Sequence, residues 1–348
     1  MAKIKAGIIG ATGYAGLEIV RLLLNHPEVS VAAVSSVSYE GQTLSHIYPA
    51  LQGHCDLTLV KDTDVVTACD VIFGSMPAGV SEPIARQCFN AGKLYIDMGA
   101  DFRLTDEADY IQWYGKKYED PELHQQAVYC IPEIHRERLL GKNKKLIGNP
   151  GCYPTSIALG LYPAVKGNAV DLSTLVIDSK SGVTGAGRGL TQNTHYPDCN
   201  EAFAPYKIAC HRHTPEIEQT LGELSGERPT ITFVPHLLPV NRGIVSTMYV
   251  SLQNGVGKEA VRELYTAAYE KEPFVRVLPE GESANLKNVR YSNHCDISLH
   301  FDNRTNRIII VSAIDNMGKG AAGQAIQNMN LALGLPETAG LQAVPPAF

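Results

Sequence analysis

Gly10-Ala11-Thr12-Gly13-Tyr14-Ala15-Gly16 follows an apolar run, Ile4–Gly10, and opens a helical pattern that reaches Asn25. A glycine turn between a first strand and a first amphipathic helix admits few folds, because it turns the backbone tightly and brings the helix close to the strand. Leu17, Val20, Leu23 and Leu24 recur on one side of that helix, the spacing of a face packed on a sheet. Strand-like runs at Val29–Ser35, Asp70–Gly74, Leu94–Met98 and Lys145–Gly148 follow, with a second amphipathic pattern at Val80–Ala91. Alternating β and α predicts an α/β, Rossmann-like doubly wound parallel sheet.

The G-x-x-G-x-x-G spacing is a variant of the dinucleotide fingerprint, in which pyrophosphate meets the N–H groups of a helix start. Gly10, Thr12, Gly13, Tyr14, Ala15 and Gly16 are therefore candidate cofactor contacts, with a purely structural turn as the plain alternative. An NAD site usually has Asp or Glu at the end of the second strand; this chain has Ser35-Ser36. Hydroxyls can bind a 2′-phosphate that a carboxylate would repel, which predicts NADP(H). Ser75-Met76-Pro77, after the next strand, falls where the nicotinamide half should pass, though an ordinary strand-ending turn reads the same way.

From Thr174 the texture changes to longer strands, Leu175–Ser179, Thr230–Val234, Val245–Leu252, Cys295–Phe301 and Ile308–Ala313, with a hairpin turn at 302–306. These predict an α+β domain with a largely antiparallel sheet. Pro215–Leu224 and Lys258–Tyr269 read as helices covering one face, and Gly320–Leu333 as a last helix returning to the first domain. The expected division is 1–150 with 316–348 as the NADP-binding domain and 151–315 as the catalytic and oligomerisation domain. Catalysis then falls at the domain change.

Gly148-Asn149-Pro150-Gly151-Cys152-Tyr153-Pro154-Thr155 carries the chemistry. Pro154 suits a first helical turn, and Ile157, Ala158, Leu161 and Val165 follow at helical spacing, so a helix is predicted to start immediately after Cys152. Unpaired N–H groups and the helix dipole favour a thiolate there, and hence a nucleophile. Gly148 and Gly151 leave bare backbone for a ligand and for a developing oxyanion, with Asn149 as a further donor.

His211-Arg212-His213-Thr214-Pro215-Glu216 supplies acid/base candidates: in an extended segment the two histidines point the same way with Arg212 opposite. Glu216 orients an imidazole or complements a helix start. Arg103, Arg188 and Arg242 each follow a glycine-rich or turn segment and, with Arg212, suit a dianionic substrate. No third ligand accompanies His-x-His, so no metal is expected.

A formal net charge of −6 offers no basic surface for nucleic acid, and no apolar run has membrane-spanning length. With 44% hydrophobic and 19% charged residues the chain reads as globular. The eight cysteines contain no C-x-x-C pair, and the N-terminal residues enter a strand without an apolar leader, so a cytoplasmic setting is expected.

These motifs, with Ala100-Asp101-Phe102-Arg103-Leu104, Phe233-Val234-Pro235-His236-Leu237-Leu238-Pro239 and Asp315-Asn316-Met317-Gly318-Lys319-Gly320-Ala321-Ala322-Gly323-Gln324, resemble the N-acetyl-gamma-glutamyl-phosphate reductases of arginine biosynthesis, relatives of aspartate-semialdehyde dehydrogenase. The resemblance spans nearly the whole length. It implies that Cys152 is the nucleophile, that Asn316 lies near the nicotinamide, and that Arg103 holds phosphate; Gly182 is a further candidate cofactor contact. Semialdehyde dehydrogenases place a catalytic Gly-His after Pro-Val, but here Pro239-Val240 leads to Asn241-Arg242-Gly243. The aspartyl substrate is thereby demoted, and the acid/base duty moves to His211 or His213. The implied reaction is NADPH-dependent reduction of N-acetylglutamyl 5-phosphate through a Cys152 thioester, with release of inorganic phosphate, by a homodimer or homotetramer. Alternatives are the one-carbon-longer acetylaminoadipyl phosphate, aspartyl phosphate, and a non-catalytic NADPH sensor.

Overall fold

The apolar runs of the first half pair into one all-parallel sheet in the computed structural model, which describes residues 3–347; Met1 and Ala2, part of the N-terminal segment read above, and Phe348 lie outside the described residues. The strands are β1 (Ile4–Ile9), β2 (Val29–Ser35), β3 (Leu59–Val60), β4 (Val71–Gly74), β5 (Leu94–Asp97), β6 (Val128–Tyr129) and β7 (Leu146–Gly148), in the order β3-β2-β1-β4-β5-β7-β6. β4 and β5 are buried at every position, as strands covered on both faces must be. The winding reverses between β1 and β4, which leaves a crevice at their carboxyl ends. Gly10–Gly16 leaves β1 at that point and Ser75-Met76-Pro77 leaves β4. β3 and β6 escaped the sequence reading because two residues show no period.

The chain divides into two compact units, one formed by residues up to Pro150 with Ala321–Gln342, the other by Gly151–Gly320 with the chain from Ala343. The return to the first unit, expected at 316, falls at Ala321, because Asp315 and Asn316 bond to turns of the second unit. Within the first unit, helix Gly323–Leu333 packs on helix Tyr14–Leu23. Buried amides tie it down: Asn330 meets His26 at 3.0 Å, and Asn328 donates to the Cys130 carbonyl at 3.0 Å and to Asn149 Oδ1 at 3.1 Å.

The second unit holds β8 (Val170–Gly182), β9 (Ala204–Pro205), β10 (Thr232–Leu238), β11 (Ile244–Leu252), β12 (Val275–Val277), β13 (Cys295–Asp302) and β14 (Arg307–Ile314), ordered β12-β13-β14-β11-β8-β10-β9. β12–β13 and β8–β10 pair in parallel and the other neighbours antiparallel. β8 and β10 outrun the expected segments because strand partners, rather than local composition, set their ends. Helix Cys152–Lys166 lies on β11 and β14, flanked by helices Thr214–Ser225 and Lys258–Tyr269. Ser156 pins it to the sheet through Ser246 at 3.0 Å and Ser312 at 2.9 Å. Pro163, inside this helix, has no N–H for the Leu159 carbonyl; the buried Tyr269 hydroxyl donates to that carbonyl at 2.6 Å instead. Among the described residues no helix is long and apolar enough to cross a membrane.

Candidate active site

The turn after β1 is built for close approach. Gly10 has φ +77°, a Cβ there would lie 2.3 Å from the Ser75 carbonyl oxygen, and a Cβ at Gly16 would lie 2.4 Å from that of Gly10. Gly13 donates to the Gly10 carbonyl at 3.0 Å and caps helix Tyr14–Leu23, which has no side-chain cap and no acid in its first turn. Such a bare helix start fits a pyrophosphate. Tyr14 and Ala15 form its first turn, and Ser75, Met76 and Pro77 follow β4 on the neighbouring strand end. Thr12 and Ser36 hydroxyls meet at 2.7 Å, and Tyr48 donates to the Thr12 carbonyl at 2.7 Å. Ser35 differs from the expectation: fully buried, it donates to Asp62 at 2.6 Å. Sequence reading did not count that carboxylate, which lies 27 residues downstream of Ser35.

Arg103 is buried, and its guanidinium donates from Nε to the Asn149 carbonyl at 2.8 Å and from Nη2 to that of Met98 at 3.0 Å. It ties β5's end to the strand leading to Cys152. Asn149 is fully buried, with Nδ2 on the Ala321 carbonyl and Oδ1 accepting from Asn328. Both ends of its amide are thus engaged within the fold, contrary to the expected oxyanion donor. Gly148 is required by packing, because a Cβ there would lie 2.0 Å from the Phe102 carbonyl oxygen.

Cys152 is the first residue of its helix, not the one before it, and Gly151 is the N-cap. The sulfur-bearing residue is half-buried in a helix otherwise buried from Tyr153 to Leu161. Glu216 lies in the first turn of helix Thr214–Ser225, as its helix-start reading expects, and its buried side chain accepts the Gly151 N–H at 2.7 Å. Gly320 lies against the thiol residue: a Cβ there would be 2.8 Å from Cys152 Cβ. No disulfide engages any of the eight cysteines.

The histidine pair sits in a turn, not an extended segment, because the His213 N–H donates to His211 Nδ1 at 3.1 Å and the Thr214 N–H to the His211 carbonyl at 3.0 Å. The rings still meet, 4.9 Å apart and T-shaped. His211 is buried against Tyr153, Tyr206 and Phe233. Burial, then Lys207 and Arg212, push its pKa down to about 3. Tyr206, which no periodicity marks, donates to the Tyr153 hydroxyl at 3.1 Å and lies 3.5 Å from His211 Nε2. Burial raises both phenols well above their usual range, with the Cys152 sulfur adding to the rise.

Arg242 departs from the clamp expected of it. Its Nε bonds both oxygens of the fully buried Asp315, at 3.1 and 3.0 Å, and its guanidinium lies 4.7 Å over the Tyr291 ring. Asn316 is likewise taken up: Oδ1 accepts the Gly243 N–H at 2.6 Å and Nδ2 donates to Thr184 Oγ1 at 3.0 Å. Gly182 lacks a side chain because a Cβ would lie 2.8 Å from backbone atoms of Val240, Asn241 and Arg242. Arg188 and Arg212 are exposed.

Comparison with known proteins agrees with this architecture. Residues 5–141 match the semialdehyde dehydrogenase NAD binding domain and residues 152–316 the semialdehyde dehydrogenase dimerisation domain. The N-acetyl-gamma-glutamyl-phosphate reductase of Clostridium beijerinckii is 55% identical over 99% of this chain and 100% of its own, and that of Brachyspira hyodysenteriae 56% identical over the same shares. Among solved structures, aspartate semialdehyde dehydrogenase II of Vibrio cholerae, complexed with ASA, aligns with TM-score 0.72 at 17% identity, covering 96% of this chain and 99% of that one. The aspartate semialdehyde dehydrogenase of Candida albicans, solved with NADP, aligns with TM-score 0.69 at 17% identity, covering 95% and 98%. At that identity the likeness shows the fold alone, whereas the near-full-length reductase matches decide the branch. The chain belongs to the N-acetyl-gamma-glutamyl-phosphate reductase family, an NAD(P)-dependent oxidoreductase branch with the semialdehyde dehydrogenase fold.

Proposed function

We propose that the chain reduces N-acetylglutamyl 5-phosphate to the 5-semialdehyde with NADPH, through a thioester on Cys152. The observation that carries this reading is the place of Cys152, half-buried at the first position of a buried helix whose N-cap is held by Glu216. The sulfur bonds the acyl carbon, the bond from that carbon to the phosphate oxygen breaks, and inorganic phosphate leaves. N–H groups at the helix start, on Cys152 and Tyr153, meet the oxyanion; Pro154 has none to give. When bound, the nicotinamide supplies the hydride. The carbon–sulfur bond then breaks, the sulfur keeps the electron pair, and the aldehyde departs.

Proton transfer is assigned to His213. His211 accepts the His213 N–H on Nδ1, so its own ring proton sits on Nε2 toward Tyr206, and it stays neutral down to about pH 3. A ring committed in this way donates a hydrogen bond and is a poor base. Arg188 and Arg212, exposed and fixed in charge, are assigned to substrate carboxylate and phosphate, since a guanidinium suits either anion. The turn Gly10–Gly16 holds the pyrophosphate and Ser36 the 2′-phosphate. The enzyme works as a homodimer or homotetramer through residues 152–316, in the cytoplasm.

The test is turnover of N-acetylglutamyl phosphate followed at the nicotinamide absorbance. Cys152→Ser abolishes it while NADPH still binds, and His213→Asn slows it by about 10² to 10⁴. Sustained turnover by Cys152→Ser overturns the covalent route, and equal kcat/KM with NADH removes the NADP assignment.

A further inference from the structure

Beyond β14 the backbone enters a π-helical turn, Gly318–Ala322, that is clamped from two sides. Asp315 Oδ1 accepts the N–H groups of Met317 at 2.8 Å and Gly318 at 3.0 Å, while Oδ2 accepts that of Tyr291 at 2.5 Å. Arg242 neutralises the same carboxylate and lies over Tyr291, with 11% of its side chain exposed. A Cβ at Gly318 would lie 2.4 Å from the Ser292 carbonyl oxygen, so the turn cannot back away. The Gly320 N–H closes it on the Asp315 carbonyl at 2.9 Å. At Gly320 an added Cβ would stand 2.8 Å from Cys152 Cβ and 3.3 Å from both Cys152 Cα and the Asp315 carbonyl oxygen.

We propose that Gly320, seated by the Arg242–Asp315 pair, is a positioning residue that fixes where the Cys152 sulfur points. This rests on the reading of Cys152 as nucleophile. A π-turn inserts one extra residue per turn and is unfavourable without support; here an ion pair on a buried carboxylate and three N–H bonds to that carboxylate hold it. The contact it delivers is with the Cβ of the nucleophile, which has no flexible end to yield. A methyl at 320 therefore moves the sulfur relative to the oxyanion donors, and displacement of about 1 Å costs about 10² in rate. The Arg242 guanidinium acts through Asp315 and the turn, and it does not touch substrate.

The test uses full-length Gly320→Ala and Arg242→Lys, with kcat, KM, NADPH affinity and the rate of Cys152 alkylation by iodoacetamide measured on each. For Gly320→Ala the expected result is kcat lower by about 10- to 100-fold, KM within about threefold, alkylation altered in step, and NADPH affinity within about twofold. Arg242→Lys, which keeps the charge and loses the Nε contact, is expected to fall between this and the parent. Parent-like kcat and alkylation in Gly320→Ala that binds NADPH normally would overturn the inference. So would a raised KM with unchanged alkylation in Arg242→Lys, which assigns that guanidinium to substrate. If Gly320→Ala does not fold, Arg242→Lys decides alone by the same readouts. Turnover surviving Cys152→Ser brings down the underlying reading, whereas loss of turnover there with a parent-like Gly320→Ala brings down this inference only.

Discussion

His211 shows how far a residue's surroundings can take it from its usual chemistry. Two histidines beside an arginine are legible as an acid/base cluster, yet the sequence left the choice between them open. The turn adds what the sequence could not show, that His211 Nδ1 accepts a backbone N–H, and on this the proposed choice of His213 rests. The depressed pKa also has a consequence for stability. Below pH 6.5 the unfolded chain gains a proton that folded His211 refuses until about pH 3, so stability is lost as pH falls through that window. His294, lowered to about 4 by burial, Arg276 and Lys319, acts in the same sense. Asp97, raised by burial and Asp101 to about 6, acts oppositely: it favours the fold at low pH and loses that contribution as pH rises from 3.8 to about 6. Removing the His211 imidazole as His211→Asn should therefore shrink the drop in Tm between pH 6.5 and about pH 4. An unchanged drop in thermal melts would place the titration elsewhere.

At the scale of elements, the Cys152–Lys166 helix was readable from spacing and from Pro154, apart from its first residue. Its tertiary supports were not. Pro163 reads as a helix breaker, but the helix tolerates it because the Tyr269 hydroxyl, from a helix about a hundred residues further on in the chain, takes over the orphaned Leu159 carbonyl. Tyr269→Phe should cost about 1–3 kcal/mol, the penalty of a buried carbonyl left without its donor. Urea unfolding with an unchanged midpoint would show that another donor satisfies it. Arg242 and Asn149 carry the same lesson in reverse. Their residue types and glycine-rich settings suggest ligand contacts, yet their polar groups are consumed by Asp315 and by Ala321 and Asn328. A sequence lists donors; it does not say which acceptors the fold will bring to them.

For the whole molecule, the first unit is closed by a helix from the far end of the chain. His26, Cys130, Asn149 and Glu133 all bond side chains of Gly323–Leu333. Residues 1–150 alone should therefore melt well below the same segment joined by a short linker to 321–342, since several buried polar groups lose partners worth about 1 kcal/mol each. Equal melting temperatures would show that the returning helix is dispensable. By itself the sequence determined the alternation of strand and helix, the glycine turn, the cysteine at a helix start and the family, because these depend on neighbours in the chain or on short motifs. Only the tertiary structure decided the π-turn against Cys152, the edges of the two units and the hydrogen-bond partners of Arg103, Ser35 and Glu216. Those outcomes depend on which distant groups are brought within hydrogen-bonding reach, and burial makes every such pairing compulsory.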